Sequence, residues 1–185
     1  MMMHIDVSSV LRQTVSCELY SNLVTRPTGA AVRTQIEALL SDSRERSLTV
    51  IDFSHVNLLD FSCADEVVAK LLLRFEGGAP PQDAYFLLRG VREDHLDAIE
   101  HALERYQLAL VMQADDGALF LVGTVNDELR RAWLALRELG RGAAEELASA
   151  LGQELADAAA LLAALHERRL VMRFEDTYVP LGATP

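Results

Sequence analysis

Residues 48–76 read LTVIDFSHVNLLDFSCADEVVAKLLLRFE. The run 48–53 is apolar and of strand length. Its apolar residues dominate instead of alternating, the pattern of a central strand covered on both faces. A polar turn and a second short apolar piece, Leu58 and Leu59, follow it. Asp60-Phe61-Ser62-Cys63 then opens a helix, expected over 63–76, with the stripe Val67, Val68, Leu71, Leu72 and Phe75 turned inward. A hydroxyl and several carboxylates are thus crowded at one helix start, where backbone N–H groups point outward and negative charge is favoured. Such a place suits a regulatory surface and offers no obvious catalytic pair.

On the amino-terminal side, 3–7 and 10–20 have mixed β character and are expected to form one or two strands. Arg26-Pro27-Thr28-Gly29 reads as a turn. A helix is expected over 30–40, with Val32, Ile36, Leu39 and Leu40 on one face, ended by Ser41-Asp42-Ser43. On the carboxy-terminal side, Gly77-Gly78-Ala79-Pro80-Pro81 stops the central helix. A buried-type strand is expected over 84–88 and a helix over 92–106. Strands over 108–112 and 118–122 flank the hairpin turn Asp115-Asp116-Gly117. From Val125 the sequence becomes rich in Ala, Leu and Glu. Helices are expected over 126–139, 143–151 and 154–168, then short strands over 170–174 and 177–181 around Glu175-Asp176. Helix, helix, helix and hairpin make a winged-helix outline. A boundary near Gly123–Thr124 would divide an α/β domain, 1–122, from a small winged-helix-like α+β domain, 124–185.

The 185 residues suit one domain or two small ones, and half of them are apolar, enough for a real core. The net charge of −11 and pI near 4.8 argue against a nucleic-acid binder, local basic patches aside. Lys70 is the only lysine, which reads as base-composition bias. Cys17 and Cys63 are too few for a disulfide framework. No 18-residue apolar run exists and the first residues lack a signal pattern, so the expected compartment is the cytoplasm, with no membrane contact. His4, His55, His95, His101 and His166 show no metal-ligand spacing. No nucleophile elbow, P-loop or G-x-G-x-x-G occurs. The expectation is a non-enzyme without cofactor or metal.

The strand–helix order of the first part, with VIDFSHVNLLDFSCADEVVAKLL at its centre, resembles the STAS family, which includes the anti-sigma-factor antagonists. In that family an apolar strand ending in Asp leads to an Asp-Ser-Ser-Gly turn that opens a helix. Here the strand ends Val50-Ile51-Asp52-Phe53, and the turn is Asp60-Phe61-Ser62-Cys63. Asp60 matches the family's Asp, and Ser62 falls at the serine that partner kinases phosphorylate in regulated members. Phe61 replaces the first serine and Cys63 the glycine. The run Ser62-Cys63-Ala64-Asp65-Glu66 and the turn Thr25-Arg26-Pro27-Thr28-Gly29 look closer to a STAS-like branch. The resemblance covers roughly 3–122. It implies an α/β fold with a mixed sheet, and regulation through an anti-sigma-type or kinase-type protein partner. The tail resembles winged-helix modules in outline only.

Four residues are therefore candidates for partner binding or phosphorylation: Ser62, Asp60, Asp65 and Glu66. The plain structural role for Ser62 is a helix N-cap accepting the Asp65 N–H, worth about 1 kcal/mol. The plain role for Asp65 and Glu66 is to complement the helix dipole, since adjacent helical residues do not face each other. Cys63 reads as a buried small residue, and Trp133 as a packing residue that couples the two halves. In an alternative reading the tail binds DNA, with Gln153, Arg168, Arg169 and Arg173 as weak contacts. The third tail helix suits that poorly, because it opens with acids where a recognition helix needs donors. A protein contact or homodimer suits its Ala-rich face better. A small-ligand or nucleotide sensor is the remaining alternative.

Overall fold

The computed structural model of the chain describes residues 2–15, 21–41, 46–76 and 83–182. Strand β1 (Met2–Asp6) runs directly into helix α1 (Val7–Thr14). This corrects the strand expected from residue 10 onward. Asp6 caps the helix by accepting the Ser8 and Ser9 N–H groups, and Val7, Val10 and Leu11 pack inward at helical spacing. Cys17, Asp42, Ser43 and the 77–81 stop lie outside the described residues. A two-residue strand, β2 (Asn22–Leu23), leads to α2 (Arg26–Ser41). The expected 26–29 turn is instead the first turn of α2. Pro27 is tolerated there because a first-turn N–H has no partner within the helix.

Strand β3 (Ser47–Asp52) and the short β4 (Leu58–Leu59) precede the central helix. That helix is α3 (Phe61–Ala64), a π-helical turn (Asp65–Ala69) and α4 (Lys70–Phe75) in unbroken succession. Then come β5 (Ala84–Arg89), α5 (Glu93–Arg105), β6 (Ala109–Gln113) and β7 (Leu119–Gly123). The tail contains α6 (Asp127–Leu139), α7 (Ala144–Leu151), α8 (Leu155–Glu167) and the hairpin β8 (Val171–Phe174) and β9 (Thr177–Pro180).

The main sheet has the order β1-β3-β5-β6-β7. Its first four strands are parallel and β7 is antiparallel to β6. The protein is thus a mixed α/β fold on a mostly parallel sheet. Alternation along the strands divides the core. Ile51, Phe86, Leu88 and Leu110 face α1 to α5, whereas Val50, Tyr85, Leu87 and Val111 face Trp133, Leu136, Leu162 and Leu165 of the tail. Both faces are covered, which explains the apolar, non-alternating β3. The chain changes face at Gly123–Thr124, and residues beyond it share one apolar core with the sheet. Strands follow each other across the sheet in sequence order. The order therefore never reverses, and among the described residues the sheet has no topological switch point.

Candidate functional site

The pairing of β2 with β4 builds the site. It is parallel, with Asn22 opposite Leu58 and Leu23 opposite Leu59, and Asp60 N–H extends it to Leu23 O at 3.1 Å. Thr25 is thereby laid beside Asp60. The Asp60 carboxylate then ties two elements together. Its Oδ1 accepts Cys63 N–H at 2.8 Å, capping α3, and the Ser62 hydroxyl at 2.8 Å. Its Oδ2 accepts Thr25 N–H at 2.9 Å. Asp60 is therefore the N-cap, and Ser62 is its neighbour and donor, correcting the cap role expected for the serine. Burial alone would raise the Asp60 pKa. The Thr25, Cys63 and Ser62 donors outweigh it and hold the carboxyl below its ordinary range.

Thr25 has φ 73°, a left-handed conformation that a β-branched residue rarely adopts. Asp60 at its N–H, Gly29 N–H at its carbonyl (3.1 Å) and the Cys63 thiol at the same carbonyl (3.0 Å) hold it there. Gly29 is required by proximity, since a Cβ there would lie 2.9 Å from Cys63 Cα and 3.1 Å from Glu66 Cβ. Cys63 is fully buried. Burial, then the charge of Asp60, push its thiol up to about 12, which leaves it unreactive.

Asp65 and Glu66 are not exposed first-turn acids. They are 0% and 3% exposed. Lys70 N–H reaches back five residues to Asp65 O, and within this wider turn both carboxylates meet one guanidinium. Arg26 Nη1 donates to Asp65 Oδ2 at 2.5 Å and to Glu66 Oε1 at 2.7 Å. Lys70 donates to Glu66, Arg33 Nε reaches Glu66 Oε2 at 3.4 Å, and Arg105 Nη1 stands 3.9 Å from Asp65 Oδ1. Burial works to raise both carboxyl pKa values. For Asp65, Arg26 and Tyr106 outweigh it; for Glu66, Lys70 and Arg26 do; both carboxyls end below their ordinary range. A partner approaching this face meets Arg26 before either acid. Sequence reasoning named Thr25 and Arg26 only as part of a turn, without a role at the site, and missed Arg33 and Arg105. The only local signal was Glu66–Lys70 at i,i+4 spacing.

The surface around Ser62 is open. Ser62 itself is half-buried, while its neighbours Phe61 and Leu58 are 41% and 53% exposed. A second polar cluster sits at the carboxyl end of β3. There Asp52 accepts from Ser54 (2.9 and 2.6 Å) and from Arg89 Nε (2.8 Å), with His4 Nε2 at 3.0 Å. An open cavity of about 280 Å³ lies near it, lined by Arg89, Gly90, Gln113 and Asp115 among others. Among the described residues, no group of three or more His, Cys, Asp or Glu could hold a metal ion.

In the tail, Arg168 donates to Gln107 O (2.9 Å) and Thr124 O (2.8 Å). Arg169 donates to Asp83 Oδ1 (2.7 Å) and Phe75 O (3.2 Å), and Arg173 to Glu175 O (2.7 Å). The first two act as clips between the tail and the sheet. Gln153 sits just before α8, whose exposed residues Leu155, Ala156, Asp157, Ala159, Ala160, Ala163 and Glu167 carry no cation. Trp133 is buried against the sheet. Among the described residues no single helix is long and apolar enough to cross a membrane. No protein-family model matches the chain, and no curated protein matches it.

Proposed function

We propose that the chain is a non-enzymatic regulatory protein. In this reading a STAS-like α/β unit binds a protein partner of the anti-sigma or kinase type through the helix start at Asp60 and Ser62, with Asp65 and Glu66 anchoring the arginines beside it. Phosphorylation of Ser62 switches the affinity. The tail is read as winged-helix-like on its helix, helix, helix, hairpin order and on the 112° bend between α7 and α8 at Gly152.

One observation carries the reading. The half-buried Ser62 hydroxyl bonds to the carboxylate that also caps α3 and holds Thr25 in its strained conformation. A phosphate there adds a charge of about −1.5 to −2. It would repel Asp60 across a 2.8 Å contact, and all three donors to Asp60 would be released together. Thr25 would relax and carry Arg26 with it. A local charge would thus become a change of surface shape, the form such switches take.

The test has two stages. Chain purified from its native host is mapped for phosphosites by mass spectrometry. Wild-type, Ser62→Ala and Ser62→Asp proteins then capture partners from the same host. Modification at Ser62, with a partner retained by Ser62→Ala and lost by Ser62→Asp, is the expected outcome. Equal capture by all three proteins removes the switch.

A further inference from the structure

The chain has a net charge of −11, yet the helix face around the π turn presents cations. Three carboxylates, Asp65, Glu66 and Glu37, lie beneath five cationic side chains in one connected network. Arg26 and Lys70 each meet Asp65 and Glu66. Arg33 bridges Glu66 and Glu37, Arg74 binds Glu37, and Arg105 flanks Asp65. The carboxylate side chains are 1–13% exposed and the cations 25–54%. These five cations and three carboxylates sum to +2, or to +1 with the adjoining Asp60, and the three carboxylates lie on the inner side.

We infer that this face docks an acidic segment of the partner protein. The segment's carboxylates meet Arg26, Lys70, Arg74 and Arg105, and its apolar residues meet Phe61 and Leu58. The inference rests on the partner-binding reading above and supplies that partner's chemistry. Donors remain for it. A guanidinium carries five N–H groups, while Arg26 uses Nη1 alone for both of its carboxylates and Arg74 uses Nη1 alone for Glu37. The buried acids hold the guanidiniums in place, so less side-chain freedom is lost on binding. The overall negative charge does not prevent the contact. At physiological salt it is screened beyond about 8 Å, and the local field governs docking. The cationic face also adjoins Ser62 through Arg26 and Thr25. A phosphate on Ser62 would compete with the acidic segment for the same cations, which sets the direction of the switch.

The probe is a synthetic helical peptide of Glu with Leu at i, i+3 and i+4 spacing, with a Lys-for-Glu counterpart as control. Each is titrated onto the full chain at low and high salt and followed by NMR. The Glu peptide is expected to shift the Arg26, Lys70 and Arg105 signals and to weaken about fivefold between 50 and 300 mM salt. It should weaken roughly tenfold in the Arg74→Glu/Arg105→Glu double variant. The milder Arg74→Gln/Arg105→Gln variant, checked for an unchanged melting temperature, should weaken it in the same direction. No binding by the Glu peptide, an equal response to the Lys peptide, or undiminished affinity in both variants overturns the inference. Docking of the Glu peptide with equal capture by the Ser62 variants would keep this surface and remove only the switch.

Discussion

Arg169 gives the sharpest test of how the tail is held. It occupies the residue after the cap of α8 with φ 58°, the left-handed position where glycine is usual. Leu170 N–H returns to Leu165 O at 3.0 Å and Arg169 N–H to His166 O at 2.9 Å, the two bonds of a Schellman ending. A side chain in that conformation costs about 1 kcal/mol relative to glycine. The arginine is kept because its side chain, 9% exposed, reaches across to the sheet. It binds Asp83 and Phe75 O and stacks over the Tyr85 ring at 4.9 Å. Removing a buried charge-assisted bond costs about 1.5–3 kcal/mol, and the cation–π contact adds about 0.5–2. Asp83 keeps Arg46 at 2.6 Å and is partly exposed, so it is not left as an uncompensated buried charge. Arg169→Ala should therefore lose about 3 kcal/mol in urea unfolding, or about 6–12 °C in melting temperature for a chain of this length. Arg169→Gly loses the same contacts but relieves the backbone, and should be about 1 kcal/mol less damaging than alanine. A loss below 1 kcal/mol for alanine, or a glycine variant no better than alanine, would refute the clip and the strain respectively.

Gly29→Ala should destabilise by about 1–2 kcal/mol in thermal melts, because a methyl 2.9 Å from Cys63 Cα outweighs alanine's helical preference. A variant as stable as wild type would show that α2 and α3 can part freely. Asp52, Asp60, Asp65, Glu66 and Asp83 are all held below ordinary carboxylate values, so the unfolded chain takes up protons first. Stability should be full above about pH 5 and fall as acid passes through pH 4 and below, with a shallower fall in Glu66→Gln. Flat urea midpoints from pH 6 to 3 would contradict this. Burial, with Arg169 beside it, lowers the His166 pKa, and its Nε2 lies 3.0 Å from the Tyr85 hydroxyl. That contribution is whole above about pH 6.5 and is lost as pH falls below it, so His166→Gln should remove a stability step there. Cys63 should resist iodoacetamide at pH 8 in the folded chain and react once urea unfolds it. Labelling of the native Cys63 peptide would show the site opening.

The regular elements were largely legible because burial imposes period on sequence. The continuous apolar run of β3, the stripe at Val67, Leu71 and Phe75, and the tail helices all follow their expected ranges within a few residues. Helix α1 departs from the expected strand although Val7, Val10, Thr14 and Val15 favour strand. The contrary signal, Asp6 followed by Ser8 and Ser9, is a cap recognisable only by its geometry. Asp60, Ser62, Asp65 and Glu66 do lie in one short stretch. Their roles were not legible, because the serine donates to the cap instead of providing it.

Sequence alone determined that the chain builds an α/β sheet with a hydroxyl and carboxylates at one helix start, since periodicity and capping residues act over a few positions. Tertiary structure decided that Asp65 and Glu66 lie inside, that arginines face outward in an acidic protein, and that Arg168 and Arg169 clip the tail to the sheet. The cause is range. Lys70 is the one local partner; the burial of Asp65 depends also on Arg26 of α2 and Arg105 of α5, some 40 residues away in either direction, and no local pattern records which charges the fold will bring together.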